Sequence, residues 1–590
     1  MMQDAHERGT QPRKNASKQT PALLKGAAVL GAAAVLSKLL GTLQKIPLQN
    51  VAGDTAFGVY NAVYPLYILI LFAATAGFPV AVSKFVAERA VLGDDRGAKR
   101  IVYVSSVILM GSGTALFLLL YFGAGVLAGW IGISQTEQAI RSVSFALLLS
   151  PCLAVLRGYF QGYQNMVPTA VSQVIEQLIR VITMVALLLY LVALAYDEAW
   201  IAAGATFGSV TGAGAGLLVM YVYWRKDQQK RAREQAGWTR SGVANMEGSG
   251  EIDIKENSAE TKGDSDTYSQ WQWAKKITVY AIPVCLGAIV VPLLTLVDTF
   301  TMPRLLEVAQ GSEAQAMRQF GLYNRGLPLV QLVVMIASSM SAVLVPAIAE
   351  AKVKGQEGLI RSRAEMAVRL SWLVGLGASF GLAFAAVPIN VMLYKSSEAS
   401  WTMAMLAFTA LFSTLNAVTA SVLQGAGAIR TPAKALLVAI VLKALGNVWL
   451  MPRWGIDGAA LSAVVAYAAA AGLNLVQLAR CTGARFALRP YAVSPALAVA
   501  GMGVCLAALQ LLARPALAAW HVPERLGYSA IALICVVGGA AVYAFVLLRS
   551  GSISREELRL MPELDRKLAP VLAKVLPPAK AHAGAAPDER

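Results

Sequence analysis

The chain has 590 residues, of which 57% are hydrophobic and 14% are charged. Soluble domains carry about 25% charged residues, so this composition excludes most water-soluble folds and predicts a protein whose surface faces lipid. The net charge of +17 does not indicate nucleic-acid binding, because lysine and arginine collect in the cytoplasmic loops of membrane proteins.

Cysteine and histidine are rare. The five cysteines form no C-x-x-C pair, and two of the three histidines lie in polar tails. We therefore predict no disulfide framework, no metal site and no cofactor. Because these counts also leave out a histidine-based nucleophile, we predict that the protein is not an enzyme.

Long apolar runs recur through the chain, and a run of roughly 20 residues predicts a transmembrane helix. We predict an all-α integral membrane protein with about fourteen such helices. The predicted spans are 23–47, 59–83, 101–127, 140–160, 170–194, 200–224, 274–298, 323–349, 366–393, 402–424, 433–451, 456–478, 491–513 and 527–548.

These spans group into two six-helix halves and two additional C-terminal helices. The predicted segments are a cytoplasmic tail (1–22), an N-terminal half (23–224), a flexible cytoplasmic linker (225–271), a C-terminal half (272–480), a helix pair (481–549) and a cytoplasmic tail (550–590). For the linker, the alternative is a regulatory or partner-binding role. For the last tail, it is an amphipathic helix on the inner membrane surface.

Basic residues concentrate in alternate connections between the spans. They include Arg96, Lys99, Arg157, Arg361 and Arg485. Because cytoplasmic loops carry an excess of lysine and arginine, we predict a multi-pass protein of the bacterial cell membrane with both termini in the cytoplasm.

An internal repeat relates the two halves. The segment Phe57–Asn61 (FGVYN) recurs as Phe320–Asn324 (FGLYN), 263 residues later, and Gln161-Gly162 recurs as Gln424-Gly425 with the same offset. An even number of spans separates equivalent helices, so the halves are predicted to be parallel rather than inverted. Two facing bundles of this kind are typical of alternating-access transporters.

Ionisable side chains inside the spans are mostly cationic. Lys38 and Lys45 are seven residues apart in the first span, which predicts one shared helical face. Arg325 enters the eighth span and Lys443 lies in the middle of the eleventh. Charges inside a membrane usually face a cavity, and these would attract an anion such as a diphosphate. For Lys45, the alternative is that its ammonium reaches the headgroups from a span end.

Two i,i+4 pairs accompany these cations. Lys84 and Glu88 are predicted to form an ion pair near the inner surface, with a ligand-binding role for Lys84 as the alternative. Glu176 is predicted to pair with Arg180, near Gln173, as a structural contact of the fifth span.

Two further polar groups and an aromatic row are candidate functional residues. Asp298, at the end of the seventh span, is the candidate for binding a coupling ion, H⁺ or Na⁺. Asn447 could add an amide oxygen to such a site, or could bond across helices. Tyr60, Tyr64 and Tyr67 have a spacing suited either to stacking on sugar rings or to an interfacial aromatic belt.

Several motifs resemble those of polysaccharide biosynthesis proteins of the stage V sporulation protein B type. They are Ser37–Gly41 (SKLLG), Gly77–Lys84 (GFPVAVSK), Arg157–Gly162 (RGYFQG), Lys443–Asn447 (KALGN) and Gly455–Ala460 (GIDGAA). The resemblance covers the chain from Leu23 to Arg549. That family belongs to the multidrug/oligosaccharidyl-lipid/polysaccharide exporter superfamily and is related to lipid II flippases.

The resemblance implies a flippase for a polyprenyl-diphosphate-linked glycan, coupled to a cation or to the membrane potential. Related flippases use cavity arginines in the first, second and eighth helices, where this chain has Lys38, Lys45, Lys84 and Arg325. Lysine lacks the bidentate fork of arginine, so the phosphate contacts are expected to differ.

We therefore predict that the protein moves a lipid II-like precursor or polysaccharide unit across the membrane. Its expected partners are that lipid-linked glycan, membrane lipids and, as candidates, cell-wall synthesis proteins. A drug/cation antiporter of the same superfamily is an alternative that would require more buried acids. A membrane glycosyltransferase would require a large outer loop, and a non-transporting membrane scaffold is a third alternative.

Overall fold

The structure, a computed structural model, describes residues 13–246, 269–428, 430–484, 486, 488–519 and 523–550. In these residues the chain forms eighteen α-helices and no β-strand, which confirms the predicted all-α class. Contacts between helices divide the chain into two compact units, Met1–Leu322 and Tyr323–Arg590.

The first unit holds ten helices and most of an eleventh. They are α1 (Arg13–Leu43), α2 (Lys45–Thr75), α3 (Phe78–Val91), α4 (Asp95–Phe122), α5 (Ala124–Ile131), α6 (Thr136–Ser144), α7 (Ala146–Gly162), α8 (Met166–Ala193), α9 (Glu198–Met246), α10 (Gln270–Gln310) and α11 (Glu313–Asn324).

The second unit holds the other seven helices of the described residues. They are α12 (Leu327–Val353), α13 (Glu357–Phe384), α14 (Ala386–Tyr394), α15 (Ser400–Gly425), α16 (Arg430–Thr482), α17 (Leu488–Ala519) and α18 (Glu524–Arg549). The last two occupy the region of the predicted C-terminal helix pair.

The predicted count of fourteen spans is not confirmed. Among the described residues, 11 helical stretches are long and apolar enough to cross a membrane, or up to 12 if the bent helix α10 is one span. Two stretches, Ala28–Val91 and Arg430–Thr482, have 64 and 53 residues, far more than the roughly 20 that one crossing needs. Gly53 and Gly455 interrupt them with non-helical backbone angles. The chain is therefore a multi-pass membrane protein.

The predicted repeat is visible in the helices and in the turns that end them. Helices α4 and α13 both have 28 residues and start 262 positions apart. Gly93 and Gly355 end the preceding helices with φ of 68° and 67°. After α7 and α15, the αL position is taken by Gln164 in one half and by Gly427 in the other. The amide of the next residue donates to a carbonyl five residues back in both halves, at 2.9 and 2.8 Å.

Glycines bring the repeat-related segments of α2 and α11 into direct contact within the first unit. A Cβ atom on Gly58 would overlap the carbonyl oxygen of Met317, and one on Gly321 would overlap that of Asp54. Met317 follows Asp54 by 263 residues, so equivalent positions contact each other reciprocally. This is the geometry of a self-complementary contact between small-residue helix faces.

The boundary between the units lies later in the chain than the predicted linker. Helix α10 packs with the first unit: the backbone N–H of Gly77 donates to Cys285 Sγ at 3.1 Å, and a Cβ atom on Gly77 would overlap the carbonyl oxygen of Ala281. Gly77, between α2 and α3, thus lets α10 pack closely within the first unit.

Helix α9 continues through Met246, so the first part of the predicted flexible linker is helical. The helix contacts other helix ends beyond the apolar part of its span. Arg231 pairs with Asp95 at 3.0 Å and with Asp227 at 2.8 Å, and the hydroxyl of Tyr163 donates to Asp95. Burial raises the pKa of Tyr163 to about 12, which keeps this donor protonated. Residues 247–268 of the linker, 1–12 of the first tail and 551–590 of the last tail lie outside the described residues.

Candidate functional site

Lys45 begins α2 and is buried in the first unit, with 8% of its surface exposed. Its Nζ donates to Asn61 Oδ1 at 3.1 Å, and Asn61 Nδ2 donates to the carbonyl oxygen of Phe57 at 2.7 Å. In the described part of the chain no ion pair joins Lys45 to a carboxylate. The alternative in which Lys45 reaches the headgroups is therefore wrong, because its ammonium is enclosed by protein.

Lys38 has a different environment from Lys45. It lies on α1, which ends at Leu43, and its side chain is exposed. Gln44, between the two lysines, keeps right-handed helical backbone angles and donates to the carbonyl oxygen of Leu40 at 3.0 Å. The prediction that both ammonium groups share one helical face therefore does not describe their surroundings: one is exposed and the other is buried.

The predicted pair of Glu176 and Arg180 is present and is part of a larger cluster. Arg180 Nη2 donates to Glu176 Oε1 at 2.9 Å, and Arg157 Nη2 donates to Glu176 Oε2 at 2.8 Å. Arg157 also donates to Ser172 Oγ. Arg157 lies inside α7, so its assignment to a connecting loop is wrong. Gln173 accepts a hydrogen bond from Ser37 through its backbone carbonyl.

A stripe of glycines on α9 makes room for this cluster. Gly208, Gly212 and Gly216 each lie where a Cβ atom would press on α8 near Glu176 or Arg180. Small residues at four-residue spacing let membrane helices approach closely. Close packing of α8 on α9 therefore holds Glu176 and Arg180 at their positions.

The tyrosine row lies inside the bundle. Tyr60 and Tyr67 are 2% and 1% exposed, and the rings of Tyr60 and Tyr64 stack at 5.5 Å. Arg180 Nη1 donates to the hydroxyl of Tyr64, and Gln44 Nε2 donates to that of Tyr60, both at 3.3 Å. The interpretation of this row as an interfacial belt is therefore wrong.

These polar side chains of α2, α7 and α8, with Gln44 at the start of α2, are together called the N-half polar network. Gln177 Nε2 donates to Gln44 Oε1 at 3.3 Å and so links the arginine cluster of α7 and α8 to the start of α2. The network consists of Gln44, Lys45, Tyr60, Asn61, Tyr64, Arg157, Glu176, Gln177 and Arg180. It holds three cations and one carboxylate, a net charge of +2 in an apolar bundle.

Lys84 is exposed and does not form the predicted pair. No ion pair joins Lys84 to Glu88 in the part of the chain that the structure describes. Its Nζ lies 4.4 Å from the ring centroid of Tyr280, because α10 packs beside α3 and presents an aromatic face to the ammonium. This contact is a cation–π interaction.

In the second unit, Arg325 is 2% exposed and lies between α11 and α12. Its Nη1 donates to Asn390 Oδ1 at 3.4 Å, and its guanidinium carbon lies 5.4 Å from the ring centroid of Tyr394. The hydroxyl of Tyr394 donates to the carbonyl oxygen of Arg325 at 3.0 Å. Asn390 and Tyr394 both belong to α14 and are uncharged.

The remaining predicted site residues are buried. Lys443 is 3% exposed and Asn447 is fully buried one turn later on α16. The hydroxyl of Ser462 donates to the carbonyl oxygen of Lys443 at 2.9 Å, across the break at Gly455. Asp298 is 5% exposed on α10 in the first unit. The two coupling-ion candidates, Asp298 and Asn447, thus lie in different units.

Sequence reasoning missed Gln44, Asn61, Arg157 and Gln177 as members of the network. Arg157 gave a usable signal, because it stands five residues before the end of the apolar run Ala146–Gly162. Asn61 gave another, because it is an amide inside an apolar span, 16 residues after Lys45. The tertiary pairing of these side chains was not readable from their spacing.

Two family profiles match this chain. The polysaccharide biosynthesis protein profile matches residues 23–245, and the profile of the lipid II flippase MurJ matches residues 321–526. Together they match parts of both sequence halves.

Three proteins of Bacillus subtilis (strain 168) are similar over nearly their whole length. The uncharacterized membrane protein YabM is 31% identical over 91% of this chain and 94% of its own. The stage V sporulation protein B is 27% identical, covering 93% and 99%. The lipid II flippase MurJ is 26% identical, covering 92% and 98%.

Solved structures share the fold at low sequence identity. The lipid II flippase MurJ in an inward closed conformation gives a TM-score of 0.60 at 13% identity, over 88% of this chain and 98% of that one. An inward-facing multidrug resistance MATE transporter of the MOP superfamily gives 0.56 at 12% identity, over 76% and 96%.

Proposed function

Because the chain belongs to the stage V sporulation protein B-like polysaccharide biosynthesis proteins of the MOP superfamily, we propose that it is a flippase for a polyprenyl-diphosphate-linked glycan. The relatives named lipid II flippase support this substrate class. The proposed cargo is a lipid II-like peptidoglycan precursor or a polysaccharide unit, carried across the bacterial cell membrane.

The excess of buried cations in the N-half polar network carries this proposal. A buried ammonium without a carboxylate partner is costly, and a doubly charged diphosphate would offset that cost better than a neutral headgroup. Arg157 and Arg180 share a single carboxylate, Glu176. A drug/cation antiporter would need the opposite balance of charges, with acids in excess.

In the proposed mechanism, the headgroup exchanges its hydration for protein contacts. The exposed Lys38 is the first cation that the diphosphate meets, and the buried Lys45 is the second. The tyrosines of the network offer ring faces and hydroxyls to the sugars. Arg325 and Lys443 are the proposed cations of the second unit. No covalent step is required, since the protein only lowers the barrier for moving a charged group through hydrocarbon.

Coupling to an ion is the second part of the proposal. Asp298 is a buried carboxylate on α10, and its neighbour Thr299 is fully buried. A buried carboxylate can release its desolvation cost by binding H⁺ or Na⁺. Neutralisation of Asp298 in this way would favour one arrangement of the transporter over the other, as would the membrane potential.

Translocation by the purified protein tests the function. The protein is reconstituted in vesicles with a fluorescent polyprenyl-diphosphate disaccharide, and the fraction of headgroups that an impermeant quencher reaches is followed over time. We expect movement above that in protein-free vesicles, with an initial rate that increases under an imposed H⁺ gradient, Na⁺ gradient or potential.

The joint change of Lys38→Ala and Arg325→Ala should abolish this movement. The change of Lys354→Ala is the control, because that exposed lysine pairs with Glu350 at the end of α12, outside the N-half polar network. Protein-free and protein-containing vesicles that exchange headgroups equally would contradict the flippase function. A double variant with the wild-type rate would contradict the roles given to the two cations.

A further inference from the structure

A groove separate from the N-half polar network runs along the first unit between α4, α7 and α9. Its volume is about 590 Å³. Apolar side chains form its body, among them Val102, Leu149, Leu156 and Leu217. The large side chain of Leu218 at its rim is 63% exposed, so the groove opens on the surface of the unit.

One end of the groove is cationic and aromatic. Lys99, in the second turn of α4, lines this end together with Tyr221 and Trp224. The rings of Tyr221 and Trp224 stack at 6.2 Å, and the guanidinium carbon of Arg225 lies 5.7 Å from the ring centroid of Tyr221. Aromatic rings beside lysine and arginine are typical of the membrane–water interface.

The ends of the three helices also place this end of the groove at the membrane–water interface. Helix α4 begins at Asp95 and α7 ends at Gly162, and α9 passes there from its apolar part into a charged part. Asp95, at the start of α4, and Asp227, just after Arg225 on α9, both pair with Arg231. Lys99 and Arg225 are exposed, and no ion pair involves either in the described part of the chain. An anion at this end would therefore not compete with a carboxylate.

The groove extends from this end into the hydrocarbon region. The lining residues of α9 run from Gly214 to Trp224, a helix length of about 15 Å. That is about half of the hydrocarbon thickness of a bilayer, which corresponds to one leaflet. The body of the groove thus matches a single lipid chain in length and polarity.

We propose that this groove binds an anionic phospholipid, with one acyl chain between α4, α7 and α9 and the phosphate against Lys99 and Arg225. The lipid is a resident ligand rather than the transported cargo. The proposal is independent of the flippase function, because it concerns a different face of the same bundle. Its charge complementarity favours a lipid with a net negative headgroup over a zwitterionic one.

Cys152 provides the readout, because its thiol lines the groove and is free. An acyl chain in the groove should shield the thiol from the neutral reagent N-ethylmaleimide. The test protein retains Cys152 alone, and a second protein retains only the exposed Cys481 as a reference. The other cysteines, Cys285, Cys505 and Cys535, are replaced by serine or alanine in both.

Both proteins are reconstituted in phosphatidylcholine vesicles with increasing phosphatidylglycerol. With the anionic lipid at about four times its dissociation constant, mass action predicts that alkylation of Cys152 slows about fivefold. Alkylation of Cys481 should be unchanged. Lys99→Gln should restore the rate measured in pure phosphatidylcholine, and Lys99→Arg should retain protection.

Arg100→Gln is the matched control. It removes the same charge at the next residue, and Arg100 does not line the groove. Equal alkylation of Cys152 in both lipids would overturn the proposal. So would protection that survives Lys99→Gln. Protection by an uncharged polyprenol but not by phosphatidylglycerol would also overturn it, and would assign the groove to an isoprenoid chain.

Discussion

At the scale of single residues, the distinctive feature is the enclosure of Lys45 beside a neutral partner. Its ammonium donates to the amide oxygen of Asn61. An amide oxygen accepts a hydrogen bond from a cation without cancelling its charge. Such a site keeps an attraction for anions that a paired carboxylate would remove.

Glu176 has the opposite role, because it is the carboxylate shared by Arg157 and Arg180. Its side chain is 17% exposed, and those of the two arginines are 19% and 11% exposed. Because these side chains are mostly buried, removal of one partner leaves the other charges desolvated and uncompensated. The resulting loss of stability exceeds the net stabilisation that the ion pair provides.

We predict that Glu176→Gln destabilises the protein by about 2–4 kcal/mol, since two arginines lose their common counter-charge. The measurement is thermal unfolding of the purified protein in detergent. Glu137→Gln is the matched control: Glu137 pairs with Arg141 at i,i+4, with side chains 33% and 40% exposed, and should cost no more than about 1 kcal/mol. Equal shifts in the two variants would show that the cluster is not a stabilising centre.

At the scale of helices, local patterns predicted what lies within one helix and missed what joins two. The spacing of Glu176 and Arg180 predicted their contact, because an i,i+4 pair is a property of one helix. The same spacing at Lys84 and Glu88 failed, because Tyr280 of α10 competes for the ammonium. Arg157 reaches Glu176 from another helix, and no periodicity encodes that contact.

The repeat is the element-scale feature that the sequence encoded best. The matched segments predicted equivalent helices. Helices α4 and α13 have the same length, and the turn before each of them contains a glycine with positive φ at the equivalent position. The number of spans was harder to predict, because apolar length alone does not separate two short spans from one long interrupted helix.

The reciprocal contact of Gly58 and Gly321 gives an element-scale prediction. Gly58→Ala and Gly321→Ala should each lower the unfolding temperature, because each added methyl group meets a backbone carbonyl that cannot move aside. Gly111→Ala is the control, since nothing lies within 4 Å of that position on α4. It should stabilise the helix by about 0.5–1 kcal/mol. A lower unfolding temperature for all three variants would contradict the role of the contact.

At the scale of the whole molecule, membership in the family and the charge of the N-half polar network point to the same class of cargo. The composition predicted the membrane class, and the motifs predicted the family. The sequence did not predict that Lys45 is enclosed, because burial of a lysine near a span end depends on partners elsewhere in the chain, here Asn61 from another part of α2.

We propose above all that the N-half polar network recognises the diphosphate. The most direct measurement compares the affinity of the purified protein for a polyprenyl-diphosphate glycan and for the matching monophosphate, by native mass spectrometry or calorimetry. For the wild type we predict that the diphosphate binds about tenfold more tightly or better. One additional charge-assisted hydrogen bond accounts for a difference of this size. In Lys45→Gln that preference should disappear, while Lys354→Gln should retain it. Equal affinities of the wild type for the two lipids, or an undiminished preference in Lys45→Gln, would contradict this role of the network.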